Sequence, residues 1–285
     1  MKRARAEILS IRRLGAYHSL TLVAPEIADR ARPGQFLSVK MPEGREFLLR
    51  RHFYVHQASR RGGWAGTLEF AFDVSGPGTM WLSQARAHRF LDVIGPLGKP
   101  FSYPKRLTNC LLIAEGHGAS PMYFLAQELL ARHKRVDMVV GGSTLETVFK
   151  PIEAKRLSQT VKILTADGSL GDRGSVVDAL EEATERSQAE VVYAAAMPRT
   201  LRRVAEFCAR HGLPAQVAIE ERMGCGLGLC QSCVVPVARA DGRRFDRIRS
   251  CVDGPVFDPA RVVWDRLLPE ASHDDPSRIE ATRPT

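Results

Sequence analysis

The sequence has no long hydrophobic run. No apolar stretch in its 285 residues approaches the roughly 20 residues that a membrane-spanning helix needs. The N-terminal segment MKRARAEILSIRRL carries basic residues but no apolar core before a small-residue cleavage site, so it lacks the pattern of a secretory signal. We therefore expect no membrane span and a protein of the reducing cytoplasm, where clustered cysteines bind metal more often than they form disulfides.

The sequence also lacks the charge pattern of a nucleic-acid-binding protein. Its net charge is +9, but the arginines are scattered along the whole chain. No window interleaves basic with aromatic residues, as proteins that bind single strands do. We therefore expect no nucleic-acid partner. The ordinary hydrophobic and charged fractions, 44% and 26%, indicate a globular protein, and the length predicts two or three domains.

Cysteines are few, but their spacing is specific. The stretch ERMGCGLGLCQSC (221–233) contains Cys225, Cys230 and Cys233, and Cys251 follows after seventeen intervening residues. This is the spacing of plant-type [2Fe–2S] proteins, and small residues let backbone N–H groups point at a negatively charged cluster. Structural zinc is the alternative, although zinc modules usually take their ligands in two close pairs. The spacing favours an iron–sulfur cluster on these four cysteines.

Residues 1–102 predict a small antiparallel β-barrel. They contain six short runs rich in strand-forming residues, which glycine and proline interrupt and no long helical pattern separates. Several runs alternate apolar with polar residues, as Leu68, Phe70 and Phe72 do. This pattern is typical of antiparallel strands that form a barrel.

From about residue 103 strands and helices alternate. The buried-strand run CLLIA (110–114) leads through a small-residue turn into a helical segment, with Ser120 expected as its N-cap and Pro121 as its first residue. Gly212 is expected just past the end of a later helix. The alternation predicts a parallel sheet with helices on both faces over residues 103–214. Residues 215–285 are predicted to form a cysteine-bearing unit that ends in a loose polar tail.

Three short motifs are candidates for nucleotide and flavin binding. The turn AEGHGASP (114–121) places small residues where a phosphate can approach a helix, although such a turn serves packing about as often. In the barrel half, Arg51 can neutralise a pyrophosphate, and Gly78 with Thr79 can bind phosphate oxygens. No acid–base constellation suits the oxidation of a small organic substrate, so we expect no catalytic residue in this chain.

Taken in order, the motifs resemble the ferredoxin–NADP reductase superfamily, and within it the electron-transfer subunits of class B dihydroorotate dehydrogenases. The resemblance runs from about residue 5 to about residue 265. Besides the cysteine loop, its most specific parts are GPLGKPF (95–101), TADGSLGDRG (165–174) and CVDGPVFD (251–258).

The resemblance implies a FAD-binding barrel, a pyridine-nucleotide-binding α/β domain and a small C-terminal [2Fe–2S] module. The flavin would contact a first segment of Arg51, His52, Phe53 and Tyr54, a second of Ala71, Phe72 and Asp73 through the backbone, and a third of Gly78 and Thr79 at the FAD phosphates. The nucleotide loop would use Gly116 and Gly118.

The resemblance also implies a partner. An FMN-containing catalytic subunit would oxidise (S)-dihydroorotate to orotate, a step of pyrimidine biosynthesis, within a heterotetramer. Electrons would pass through the [2Fe–2S] cluster to FAD and then to NAD. Two alternatives stay open. One is a reductase subunit of the same superfamily that serves an oxygenase, a sulfite reductase or a ferredoxin-coupled transhydrogenase; the other is a non-redox metal-binding scaffold or sensor.

The sequence departs from the family pattern at three places. Tyr54 ends RHFY (51–54), where the family carries a small hydroxyl residue that reaches the flavin ring. Glu115 replaces a glycine of the nucleotide loop, and the stretch AAM (195–197) stands where the family has Cys-Gly-Pro. A carboxylate beside a pyrophosphate opposes binding, so these departures predict weak NAD(H) binding with FAD and the cluster retained. His117, in the same loop, is expected only to fill space.

Overall fold

A computed structural model describes residues 1–41, 47–60 and 62–268; the tail predicted at 269–285 lies outside them. Six strands form a closed barrel in the order β1-β2-β5-β4-β3-β6, and all of their pairings are antiparallel. They are β1 (Lys2–Leu14), β2 (Tyr17–Val23), β3 (Phe36–Val39), β4 (Arg51–Ser59), β5 (Thr67–Asp73) and β6 (Phe90–Leu97). Two short helices, α1 (Pro25–Ala28) and α2 (Pro77–Ser83), lie between strands. The predicted barrel is confirmed.

Alternating side chains build the barrel interior. Along β5, Leu68, Phe70 and Phe72 are buried, because successive residues of a strand point to opposite faces. Phe53 of β4 stacks on Phe70 with ring centroids 4.7 Å apart. The same residues that carried the sequence pattern therefore form the core.

The second sheet has seven strands in the order β10-β9-β8-β7-β11-β12-β15. They are β7 (Asn109–Glu115), β8 (Arg135–Gly142), β9 (Val161–Thr165), β10 (Asp172–Arg173), β11 (Val191–Ala195), β12 (Ala215–Ala218) and β15 (Val256–Phe257). Every pairing is parallel except that of β15 with β12. The helices are α3 (Ser120–Leu130), α4 (Pro151–Leu157), α5 (Leu180–Ser187) and α6 (Pro198–Arg210). Separate apolar cores, one with α3 and one with α5 and α6, confirm the predicted parallel sheet covered on both faces.

One predicted helix boundary is wrong. Helix α3 begins at Ser120 with Ala119 as its N-cap, so Ser120 is not the cap. The preceding residues, 116–119, already wind as a 3₁₀ turn, and Ser120 itself has helical backbone angles (φ −53°, ψ −43°). Its hydroxyl is therefore one turn position too late to cap the helix. The prediction for Gly212 is confirmed: it follows α6 and its C-cap with φ +64°.

The cysteine-bearing unit is tied into the second sheet at two points. Strand β12 lies within residues 215–285, yet it pairs with β11, and β15 extends the sheet beyond it. Between them lie a hairpin of β13 (Val234–Ala238) and β14 (Phe245–Arg249) and the short α7 (Ser250–Asp253); α8 (Trp264–Leu267) follows. No helix in the described ranges is long and apolar enough to cross a membrane.

The two most characteristic sequence motifs contact each other. The amide of Lys99 donates to the carbonyl of Gly254 at 2.5 Å. Gly98 has φ +78°, and a Cβ placed there would lie 2.6 Å from Cδ of Pro255. GPLGKPF, at the end of the barrel, and CVDGPVFD, which begins at the last cysteine of the predicted set, therefore form one direct contact between the barrel and the cysteine-bearing unit.

Candidate functional site

A cleft of about 780 Å³ lies between the barrel and the second sheet. Its walls come from β4, the end of β5, the turns after β7 and β11, and the segment after β12. They include Arg51, His52, Tyr54, Asp73, His117, Gly118, Ala196, Met197, Glu220, Arg222 and Met223. Open α/β sheets bind ligands outside the carboxyl ends of their strands, and the cleft lies at that edge.

The cleft and its rim bring several of the predicted flavin residues together. Arg51, His52, Tyr54 and Asp73 line it. Arg51 also lies against Gly78, where a Cβ would come within 3.0 Å of its Nε atom. The first and third predicted flavin segments are therefore adjacent, although Arg51 and Gly78 are 27 positions apart in sequence.

Four other predicted flavin residues are not part of the cleft lining. Phe53 and Phe72 point into the barrel core, and Ala71 packs against the apolar core of the second sheet. The hydroxyl of Thr79 accepts hydrogen bonds from the amides of Ser75 and Gly76 at 2.9 and 3.1 Å. That hydroxyl is therefore occupied in shaping its own loop.

Tyr54 carries an unsatisfied donor. Its hydroxyl is buried and has no hydrogen-bond partner among the described residues. Burial, and to a smaller degree the charge of Glu220, raise the pKa of Tyr54 well above its usual value, so the phenol stays protonated. Buried hydroxyl groups normally find an acceptor. The cleft wall thus presents a hydrogen-bond donor to a bound molecule.

His117 and Glu220 form an ion pair in the cleft. Nε2 of His117 lies 3.2 Å from Oε2 of Glu220. The hydrogen bond to Glu220 raises the pKa of His117, and burial lowers it by less. His117 therefore does more than fill the loop. Sequence reasoning did not single out Glu220; the adjacent acidic pair before the cysteine loop was its one signal.

The carboxylate of Glu115 connects the predicted nucleotide loop to helix α6. Glu115 accepts a hydrogen bond at 2.6 Å from the hydroxyl of Thr200, in the first turn of α6. Gly116 has φ +59°, and a Cβ on Gly118 would lie 3.4 Å from the amide nitrogen of Ala196. The AAM stretch divides: Ala195 is buried in β11, while the next two residues line the cleft.

Backbone N–H groups of the cysteine loop already point at sulfur. Sγ of Cys225 accepts from the amides of Leu227 and Leu229 at 3.3 Å and from that of Cys230 at 3.4 Å. Sγ of Cys230 in turn accepts from the amide of Cys225 at 3.4 Å. Such donors stabilise thiolates, which suits a thiolate-ligated cluster.

The remaining two cysteines of the predicted cluster set are buried against the barrel. Cys233 and Cys251 pack with Phe36 and Leu97 in one small apolar cluster. Burial, with neighbouring Cys233, raises the pKa of Cys251 to about 12. Its deprotonation therefore depends on a bound metal. In the described ranges, no three His, Cys, Asp or Glu side chains are arranged to hold a single metal ion.

His52 connects the cleft to the cysteine loop. It lines the cleft, its Nε2 lies 3.3 Å from Oγ of Ser38, and its ring lies against Gly226 of the cysteine loop. Burial, with the charges of Arg50 and Arg51, lowers the pKa of His52 to about 4, although the nearby backbone of Cys225 acts to raise it. Gly226 has φ +68°, and a Cβ there would lie 2.3 Å from Nε2 of His52. The loop therefore closes onto a neutral imidazole.

Known proteins share this arrangement. Residues 220–263 match the model of the iron–sulfur cluster binding domain of dihydroorotate dehydrogenase B. The electron transfer subunit of dihydroorotate dehydrogenase B (NAD(+)) from Desulforamulus reducens is 34% identical over 85% of this chain and 90% of that protein. The subunit of the same name from Geobacillus thermodenitrificans is 34% identical over 86% of this chain and 92% of that protein.

A solved structure has the same architecture. It is that of an NADH-dependent reduced ferredoxin–NADP oxidoreductase studied for flavin-based electron bifurcation, with 27% identity, a TM-score of 0.78 and coverage of 93% of this chain and 92% of that one. The sequence relatives cover nearly the whole chain, and the matched cluster-binding domain contains all four cysteines of the predicted set. The chain belongs to the family of electron transfer subunits of dihydroorotate dehydrogenase B.

Proposed function

We propose that this subunit passes electrons between an FMN-containing catalytic subunit and NAD through a [2Fe–2S] cluster and FAD. The observation that carries the proposal is the continuity of the site: His52 lines the flavin cleft, and its ring lies against Gly226 of the cysteine loop. The catalytic partner would oxidise (S)-dihydroorotate to orotate. We place the complex in the cytoplasm, where thiols stay reduced until they bind iron.

The cleft suits FAD. Arg51, beside Gly78, is positioned to bind the pyrophosphate by charge-assisted hydrogen bonds. Tyr54 supplies a protonated donor for an acceptor atom of the flavin ring. Because Thr79 uses its hydroxyl locally, we assign the phosphate contacts of that loop to backbone amides.

The cysteine loop suits a [2Fe–2S] cluster. Cys225, Cys230, Cys233 and Cys251 would supply the four thiolates, and the amides of Leu227 and Leu229 already donate to the first of them. Bound iron and sulfide would carry electrons one at a time, whereas the flavin exchanges two with a nicotinamide.

Reconstitution tests this function. The purified chain should contain about two irons and two acid-labile sulfides, and acid should release FAD. With its catalytic partner it should support NAD⁺ reduction by dihydroorotate, and Arg51→Ala should lower FAD retention. Stoichiometric zinc without iron after anaerobic purification, or released FMN, would contradict the cofactor assignment.

A second function has one specific observation in its favour. The solved structure that covers 93% of this chain belongs to a ferredoxin–NADP oxidoreductase assembly. A subunit serving a ferredoxin-coupled transhydrogenase would retain both cofactors but respond to reduced ferredoxin. Two results separate these two functions. One is the identity of the partner that copurifies; the other is whether dihydroorotate or reduced ferredoxin bleaches the flavin of the complex.

A further inference from the structure

The ion pair of His117 and Glu220 has no part in the electron route described above. His117 lies in the turn after β7 and Glu220 follows β12, so the ion pair links the ends of two separate strands. Their side chains are 40% and 48% exposed, and both residues line the cleft. The pair thus faces the flavin cleft on one side and water on the other.

The groups around the pair favour a bound proton. The hydrogen bond to Glu220 and the charge of Asp73 raise the pKa of His117. Arg51, Arg222 and Glu221 line the same cleft, and the unpartnered phenol of Tyr54 lies within its wall. A histidine whose ring is open to solvent and whose pKa is raised by a carboxylate can exchange protons with water in either direction.

Electron transfer through an iron–sulfur cluster creates a need for such an exchange. NADH reduces FAD by transferring a hydride, so two electrons and the N5 proton arrive together: NADH + FAD → NAD⁺ + FADH⁻. Electrons from the cluster arrive singly and without protons: FAD + 2e⁻ + H⁺ → FADH⁻. When flavin loses electrons to the cluster, the same proton must leave.

We propose that the His117–Glu220 pair donates this proton to the flavin when electrons enter through the cluster and accepts it when they leave. Nε2 of His117, 3.2 Å from the Glu220 carboxylate, is the atom that shares the proton, and solvent replaces or removes it. The proposal rests on the proposed function, because it requires FAD in the cleft.

Stopped-flow measurements separate the two routes in one experiment. NADH is mixed anaerobically with the FAD- and cluster-loaded chain, with ferricyanide as the final acceptor. The first phase, flavin bleaching by hydride, needs no proton from the protein. In the second phase the flavin passes its two electrons one at a time through the cluster to ferricyanide, FADH⁻ + 2 ferricyanide → FAD + H⁺ + 2 ferrocyanide; the N5 proton is released, so this phase should slow about twofold or more in D₂O.

Substitution should slow the second phase more than the first. In His117→Gln and Glu220→Gln, the rate of the second phase relative to that of flavin bleaching should fall by about tenfold or more, a conservative share of the effect of a general acid–base group. Added imidazole should restore the phase in His117→Ala. His88→Gln is the matched control, because His88 pairs with Glu7 at 2.7 Å on the barrel and is 82% exposed.

A readout without turnover checks the pair itself. In NMR titrations of ¹⁵N-histidine-labelled protein, Glu220→Gln should lower the pKa of His117. An unchanged second phase in both variants, equal slowing of both phases, or no solvent isotope effect overturns the proton role. If NADH does not bleach the flavin of the unsubstituted chain, the proposed function fails instead.

Discussion

At the scale of single residues, Gly226 is the point where the cysteine loop contacts His52 of the cleft wall. Its φ of +68° lies in the left-handed region that side chains rarely adopt, and its missing Cβ leaves room for the His52 ring. The imidazole fits only because the facing residue of the cysteine loop is glycine.

Gly226→Ala should lower cluster content. The added Cβ would lie 2.3 Å from Nε2 of His52, so either the loop or the imidazole must move, and Cys225 is adjacent to the clash. We expect iron per chain to fall by about half or more, measured with the visible absorbance of the cluster.

Gly242→Ala is the control for that change. Gly242 has φ +64° in the same unit, but nothing lies within 4 Å of its absent Cβ. It therefore bears the backbone cost of about 1 kcal/mol without the clash. Equal loss of iron in both variants would show that backbone strain, not the contact with His52, limits assembly.

Glu115 is the residue whose charge should limit NADH affinity. Its carboxylate is fixed by Thr200 at 2.6 Å, at the turn where a nucleotide phosphate would approach. Glu115→Gln keeps an acceptor for Thr200 and removes the charge, so NADH should bind about three- to tenfold more tightly, a gain of about 1 kcal/mol. Flavin reduction at varied NADH measures this.

Thr200→Val frees the carboxylate without neutralising it. We expect no tightening of NADH binding in this variant. Rapid flavin reduction at micromolar NADH in the unsubstituted protein, unchanged by Glu115→Gln, would mean that the carboxylate does not reach the phosphates.

At the scale of elements, the cysteine unit divides into an anchored and an unanchored part. Val235 and Val237 of β13 and Phe257 of β15 are buried in the core with α5 and α6. The cysteine loop, 221–233, contains no helix or strand. Its order depends on N–H bonds to sulfur, on a few other contacts such as the hydrogen bond from Arg249 to the carbonyl of Gly228 at 2.9 Å, and, when the cluster is bound, on the metal.

Removal of the cluster should therefore loosen the loop alone. In hydrogen exchange followed by mass spectrometry, chelator-treated protein should lose amide protection over 222–232, including Leu227 and Leu229. Protection should persist in β13 and β15, because apolar packing holds them. Loss of protection across 215–262 would instead mean that the cluster is the core of the whole unit.

The sequence predicts the strands and helices better than the turns and contacts between them. Period-two alternation identifies the barrel strands, because each buries one face, as Leu68, Phe70 and Phe72 of β5 do. The start of α3 was misjudged, because a 3₁₀ turn cannot be distinguished from a cap by residue type. The acidic pair at 220–221 is a sequence signal for Glu220 alone; its pairing with His117 is not predictable, since the fold brings together residues 103 positions apart.

At the scale of the whole molecule, a buried polar cluster joins the barrel to the second sheet. Nζ of Lys150 lies 2.8 Å from Nε2 of His56, 3.0 Å from Oε1 of Glu69 and 3.3 Å from Oε2 of Glu153. Nδ1 of His56 lies 3.0 Å from the carbonyl of Ser120, at the start of α3. This cluster fixes the walls of the cleft relative to each other.

Charge on His56 should weaken that joint. Burial and the charge of Lys150 lower the pKa of His56, so it is neutral in the folded protein. The unfolded chain binds a proton below about pH 6.5, and stability is therefore lost as the pH falls from there toward the folded pKa. The pKa of Glu69 is also lowered, because the charge and hydrogen bond of Lys150 and the hydroxyl of Ser19 favour the carboxylate despite its burial, and its contribution to stability is lost only below about pH 4.5.

The melting temperature should record this loss. Between pH 7 and pH 5 we expect Tm to fall more in the unsubstituted protein than in His56→Gln, because only the unsubstituted chain gains a proton on His56 when it unfolds. His133→Asn, at an exposed histidine after α3, should keep the full pH dependence. Equal slopes in all three proteins would show that His56 is not the titrating group. A flattened slope confined to His56→Gln would identify the joint between barrel and sheet as the acid-sensitive part of the molecule.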